Sequence, residues 1–312
     1  MSDDNFIDKL DFSNTFNCLH RNFMLERVTE VCPEIYKFCH LTYNQHSTLQ
    51  FGEFSISSQS GSHQGDPLGG YCSASLFIQP CYPCLSSSQS GSWTTVGFMD
   101  DITSGRAKST VASDVDQFRS EGVKIGLHLN VAKCEVITKV HHKFDLEIQG
   151  FVNINPDDAC LLSAPLGSGR ALDNTLALRC SDLRIAIGRF KSLPSHDAFI
   201  LLRSSFSAPK VVHTLPCAPC SGYLILYEFD NLLREGISAI TNSLLSDLQW
   251  LQTSLPIREG GLGIRLASSL ALSAFFTSAA STTFLQDRIL PSATSFPDHR
   301  VILGCASWTQ LY

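Results

Sequence analysis

The run Trp93-Thr94-Thr95-Val96-Gly97-Phe98-Met99 is rich in strand formers, ends on two adjacent carboxylates, Asp100 and Asp101, and gives way to Ile102-Thr103, where the strand pattern resumes. A segment patterned this way turns back on itself at the acids, which demands an antiparallel sheet with Asp100 and Asp101 at a hairpin tip. Carboxylates held that close repel, and each prefers its protonated form unless a cation offsets the charge. An acidic hairpin tip flanked by apolar residues is a candidate magnesium site.

Magnesium takes six oxygen ligands, usually from a few carboxylates together with waters and substrate phosphates. Leu10-Asp11-Phe12 offers a further carboxylate: with Leu10 and Phe12 on one side of a short strand, Asp11 points to the other. Between these acids lies Ser62-His63-Gln64-Gly65-Asp66-Pro67-Leu68-Gly69-Gly70. Gly65 permits close backbone approach, Asp66 suits an N-cap and Pro67 a first helical turn. The apolar run Tyr71 to Ile78 then predicts a helix whose free N-terminal amides aim at a phosphate or a nucleotide sugar.

Four blocks in this order carry a resemblance: Asp11; Gln64-Gly65-Asp66-Pro67; Phe98-Met99-Asp100-Asp101; and Gly126-Leu127-His128-Leu129-Asn130 with Lys133-Cys134-Glu135. Together they resemble the palm of reverse transcriptases, in particular those of non-LTR (LINE-type) retrotransposons. Leu162-Ser163-Ala164-Pro165-Leu166-Gly167 and Ile257-Arg258-Glu259-Gly260-Gly261-Leu262-Gly263-Ile264 resemble the region downstream of the palm in such proteins, so the likeness runs from about Leu10 to about Ala280.

The resemblance implies an RNA-directed DNA polymerase that extends a DNA primer on an RNA template with dNTPs, using two Mg2+ ions about 3.5–4 Å apart to stabilise the attacking and leaving oxygens. It implies Asp11, Asp100 and Asp101 as metal ligands and catalytic acids. Lys133 matches a palm lysine that resembles a general acid for the pyrophosphate leaving group. Phe16 matches the aromatic residue under the incoming sugar, and Gln64 and Gly65 match positions that contact the nucleotide and the template base. Polymerases of this kind carry a basic fingers region ahead of the first aspartate, whereas only ten residues precede Asp11 here. The expectation is an N-terminally truncated palm of weak or no activity.

Charge favours other classes. The net charge is −6, whereas a polyanion is normally gripped by many Lys and Arg side chains. A catalytically silent module that still binds RNA or DNA is the alternative, and a scaffold unrelated to nucleic acid is a third. Two CxxC pairs, Cys81/Cys84 and Cys217/Cys220, stand far apart in the sequence and each contains proline, so the twelve cysteines read as free thiols rather than a zinc site. With an acidic N-terminus that is unlike a signal peptide, this predicts an intracellular protein. Leu266 to Leu285 has no charged residue but eight Ser and Thr, which predicts a buried helix and no membrane span.

Periodicity divides the chain in two. Helices are expected over Leu19–Val31, Pro33–Tyr43 and Val111–Gly126, a hairpin around Gly52-Glu53, and a strand over Cys134–Val140. The repeated Ser-Gln-Ser-Gly-Ser at 58–62 and 88–92 reads as two flexible loops. The expected fold class is α+β: a polymerase-type palm with a small antiparallel sheet packed by helices over 1–168, then an all-helical thumb-like domain over 169–312. In the second part, apolar residues from Leu172 to Phe190 recur at helical spacing, a helix follows Pro194, and Tyr223–Leu251 reads as one longer helix.

Overall fold

The computed structural model describes residues 5–63, 65–69, 92–98, 101–139 and 148–289. The chain is a mixed α+β protein that divides into two compact units, Met1–Asn155 and Pro156–Tyr312.

The first unit is built on a sheet of five strands among the described residues, β1 (Asn5–Leu10), β4 (Ser92–Phe98), β5 (Asp101–Ala107), β6 (Glu135–Ile137) and β7 (Val152–Ile154), in the order β4-β5-β1-β6-β7. All neighbours run antiparallel except β6 and β7, so the wholly antiparallel sheet expected from the sequence needs correction at one edge. Val152–Ile154 is too short to show a strand period, and it is fastened through its backbone: Val152 donates to the Cys134 carbonyl at 2.9 Å and Thr138 to the Ile154 carbonyl at 3.1 Å.

β1 shows the alternation that orients everything else. Phe6, Asp8 and Leu10 are buried, while Ile7, Lys9 and Asp11 are partly exposed. The buried face packs under α2 (Arg21–Val31), α3 (Tyr36–Tyr43) and α4 (Lys108–Lys124) through Met24, Val28, Cys39, Tyr43, Val115 and Phe118. α4 ends where Gly126 takes φ +91°, and a Cβ there would lie 2.4 Å from the Cys18 carbonyl oxygen. Glycine is the only residue that fits both demands. A short helix, α1 (Thr15–Cys18), precedes α2, and the hairpin β2 (Ser47–Phe51) and β3 (Phe54–Ser58) closes on Gly52 at φ +60°, as Gly52-Glu53 predicts.

The second unit opens with a ribbon of β8 (Cys160–Leu161) and β9 (Ala164–Pro165) and, among the described residues, is otherwise helical: α5 (Arg170–Phe190), α6 (Ser195–Leu201), α7 (Ala208–Val211), α8 (Leu224–Thr241), α9 (Asp247–Ser254) and α10 (Ala267–Ile289). α5 and α8 bury Leu172, Leu176, Leu183, Phe229, Leu233 and Ile237 against each other, with Ala267 and Ala271 of α10 completing the core. Asp230 of α8 reaches across to the start of α10 and accepts from the backbone N–H of Ala267 at 2.7 Å and of Ser268 at 3.1 Å, and from Ser268 Oγ at 2.5 Å. This caps two of the amides that a helix start leaves unpaired. Among the described residues, no helix is long and apolar enough to cross a membrane.

Candidate active site

Strand register places the predicted acids. β1 and β5 pair from Asn5↔Ala107 to Leu10↔Ile102, and the same count continued one step past the end of β1 would set Asp11 level with Asp101. Directly opposed residues of an antiparallel pair share a face, with Cβ atoms about 4.5–5.5 Å apart. Leu10 and Ile102 point into the core at 1% exposure each, so the alternation sends Asp11 and Asp101 to the face away from the helices. Asp101 also pairs with Phe98 across the β4–β5 hairpin, as the Val96-to-Thr103 pattern predicts. Asp100 lies between Phe98 and Asp101 in the chain and falls outside the described residues.

The other side of Asp11 is held by the fourth block. Asn130 donates its backbone N–H to the Asp11 carbonyl at 2.8 Å, Phe12 bridges Leu129, and Ser13 donates to the His128 carbonyl at 2.8 Å. Cys134 closes the arrangement: the Asp11 N–H donates to its Sγ at 3.4 Å, and the thiol donates back to the Asp11 carbonyl at 3.7 Å. Burial pushes the Cys134 thiol up to about 11, and the nearby negative charges of Asp11 and Asp8 push the same way. It therefore stays a neutral S–H beside the acids. Lys133 is exposed on the same turn, its N–H donated to the Asn130 carbonyl at 2.9 Å. On the face that carries Asp11, the neighbouring cation of β1, Lys9, is engaged by Glu135 at 2.5 Å.

The second block comes in along α1. Gly61 donates to the Leu19 carbonyl and Ser62 to the Phe16 carbonyl, both at 2.7 Å, which brings half-buried Phe16 alongside the stretch that leads to Gly65. Arg21 fixes that stretch from beneath with Nε on the Gly61 carbonyl at 2.9 Å, one terminal nitrogen on the Gln45 carbonyl at 2.9 Å, and the other on Ser58 Oγ at 3.0 Å. Gly65 has φ +88°, and Asp66 accepts from Leu68 N–H at 2.9 Å and from the Tyr43 hydroxyl. Gln64 and the Tyr71–Ile78 segment fall outside the described residues.

The first Ser-Gln-Ser-Gly-Ser copy is thus not the free loop the sequence suggests. Ser58, Ser60, Gly61 and Ser62 are each hydrogen-bonded to α1, α2 or the turn between them. Sequence reasoning also passed over Arg21 and Cys134 as positioning groups. An arginine at a helix start and a cysteine inside a motif carry no local mark of their partners. Among the described residues, no three His, Cys, Asp or Glu side chains gather around one point, so the metal set expected from Asp11, Asp100 and Asp101 is represented here by two of its members. Cys220 is buried, and its would-be zinc partners Cys81 and Cys84 fall outside the described residues.

No protein-family model matches this chain, and no curated protein matches it. Among solved structures it is similar to apo telomerase from Candida tropicalis, at 13% identity and a TM-score of 0.42 over 93% of this chain and 53% of that one. It is also similar to telomerase from Candida albicans in complex with a fragment of telomeric RNA, at 12% identity and a TM-score of 0.37 over 99% of this chain and 51% of that one. The chain spans about half the length of those telomerase chains. Likenesses this slight bear no weight for fold or function, and the functional reading rests on the strand register and the turns that hold Asp11.

Proposed function

We propose that the first unit is the palm of a magnesium-dependent RNA-directed DNA polymerase of the non-LTR retrotransposon type, acting on a DNA primer, an RNA template and dNTPs. The observation that carries this reading is the β1–β5 register, paired as far as Leu10↔Ile102; continued by one step, it would bring Asp11 level with Asp101 on the face away from α2, α3 and α4. Hard carboxylate oxygens on neighbouring chain segments suit magnesium, and Asp100, next in the chain to Asp101, would supply the third acid. When bound, such ions supply charge stabilisation for the attacking and leaving oxygens.

The protein groups then have separable roles. Asp101 opens the paired strand β5, and Asp11 directly follows β1 with its main chain held by Asn130 and Cys134, so neither acid hangs on a free loop. Lys133, exposed on the turn that pins Asp11, is the proton donor to the departing pyrophosphate. Phe16, whose carbonyl accepts from Ser62, and Gly65, three residues further on, would form the sugar-contacting side, and Gln64 would contact the nucleotide and the template base.

Two readouts test this. Mn2+ titration followed by electron paramagnetic resonance should show a site whose affinity falls at least tenfold in Asp11→Asn and in Asp101→Asn. Primer extension on an RNA template should show slow, Mg2+-dependent incorporation that either substitution abolishes. Metal affinity unchanged in both variants would refute the site whatever the polymerase rate.

A further inference from the structure

A separate cavity lies in the second unit. It measures about 480 Å³ and is lined by Ile185, Ala186 and Phe190 of α5, by Leu193 and Leu201, and by Phe206. Its volume falls in the range of small-molecule pockets. The floor is aromatic: Phe190 and Phe206 meet edge to face with centroids 5.6 Å apart. Phe206 ends a π-helical turn, Leu202–Phe206, that follows α6, and widened turns of this kind recur at functional sites.

The rim is cationic on a chain whose net charge is −6. Among the described residues that line the cavity, Asp182 is the one carboxylate, and it already faces two cations, Lys210 Nζ at 3.1 Å and Arg179 at 3.6 Å. Lys210 also lies 5.5 Å from the centre of the Phe206 ring, which keeps its charge at the cavity edge. Arg189 lines the same cavity and is exposed. The lining itself carries two cations, Arg189 and Lys210, against the one acid, with Arg179 facing that acid from outside the lining, which leaves a local surplus of positive charge over an apolar floor.

We infer that this cavity binds a small amphipathic anion, with an aromatic or branched apolar body seated on Phe190 and Phe206 and a carboxylate, sulfonate or phosphate held by Arg189 and Lys210. The inference is independent of the polymerase reading, since every residue in it belongs to the second unit.

The test is isothermal titration of the full chain with naphthalene-2-sulfonate and with uncharged 2-naphthalenemethanol. One saturable site is expected for the sulfonate, with the alcohol at least tenfold weaker. Arg189→Gln should weaken the sulfonate about tenfold, the scale of one lost charged hydrogen bond. Leu193→Glu, at a rim position 40% exposed, should weaken it at least as much by placing a carboxylate at the mouth. Absence of saturable sulfonate binding, equal affinity for the alcohol, or an unchanged dissociation constant in both variants would overturn the inference.

Discussion

Gly61→Ala tests how the second block is held against α1. Gly61 sits at φ +65°, and an added Cβ would lie 2.1 Å from the Phe16 carbonyl oxygen and 2.5 Å from the Asn17 carbonyl carbon. Both are backbone atoms of a helix, so the glycine segment itself must move. Moving it gives up the Gly61–Leu19 and Ser62–Phe16 hydrogen bonds, each 2.7 Å long, and the Arg21 bond to the Gly61 carbonyl. The left-handed conformation costs alanine about 1–2 kcal/mol, and each lost bond about 1 kcal/mol or more. The expected destabilisation is about 4 kcal/mol by that sum.

Gly52→Ala is the control. Gly52 has nearly the same dihedral, φ +60°, but an added Cβ at this hairpin tip would meet nothing within 4 Å. It should cost only the conformational part, about 1–2 kcal/mol. Urea unfolding followed by circular dichroism, with both variants showing the wild-type dependence on denaturant, measures the contrast. A difference under about 1 kcal/mol between the two variants would refute the close approach of Gly61 to α1.

Other outcomes rest on single groups. Arg21→Lys removes a fork that serves Gly61, Gln45 and Ser58 at once, so limited proteolysis should cut the β2–β3 hairpin faster than in wild type. Asp230→Ala strips the α10 amides of their cap and should lower stability by about 2–3 kcal/mol, read as a drop in Tm. Burial raises the Asp230 carboxyl above its usual value, so its contribution is greatest at acid pH and is lost as pH rises through its folded-state pKa; Asp230→Asn should flatten that part of the Tm profile. Burial raises the thiols of Cys134, Cys180 and Cys220 from 9.0 to about 11, which favours the folded state below pH 9 and loses that advantage as pH climbs to 11. Tm should fall across that window, and iodoacetamide should label these three only on unfolding.

The turning back of β4 onto β5, the side chosen by Asp11 and the stop at Gly126 were legible because each rests on a local rule: period two, or a left-handed glycine. The single helix expected over Tyr223–Leu251 was not. Apolar residues keep helical spacing through Leu244, Leu245, Leu248 and Leu251, yet α8 ends at Asn242 with φ 51°, and Ser246 opens α9 through a capping box with Gln249. Leu244 is left 95% exposed. Periodicity reports which side of a helix is apolar and says nothing of whether the helix continues; the Asn and Ser signals decide that. Asp8 is the opposite case, a carboxylate buried opposite Ser104 on the core face of β1 that no hydrophobic pattern announces.

The two repeated pentapeptides show why local rules stop at the site. Ser58–Ser62 is pinned by Arg21 and α1, contacts that span some forty residues and leave no trace in the pentapeptide itself. Asp11 adds the complementary lesson. Its place is set through its main chain, by Asn130 on the carbonyl and Cys134 on the amide, and not through its carboxylate. Opposed like charges across two strands weaken a sheet. Folding therefore gives no reason for an acid at position 11 level with Asp101, and an amide there would keep every one of those main-chain bonds. That separation is what makes Asp11→Asn informative: a variant that folds as well as wild type yet loses the metal assigns the carboxylate to chemistry, while one that unfolds would show that the side chain serves the fold after all.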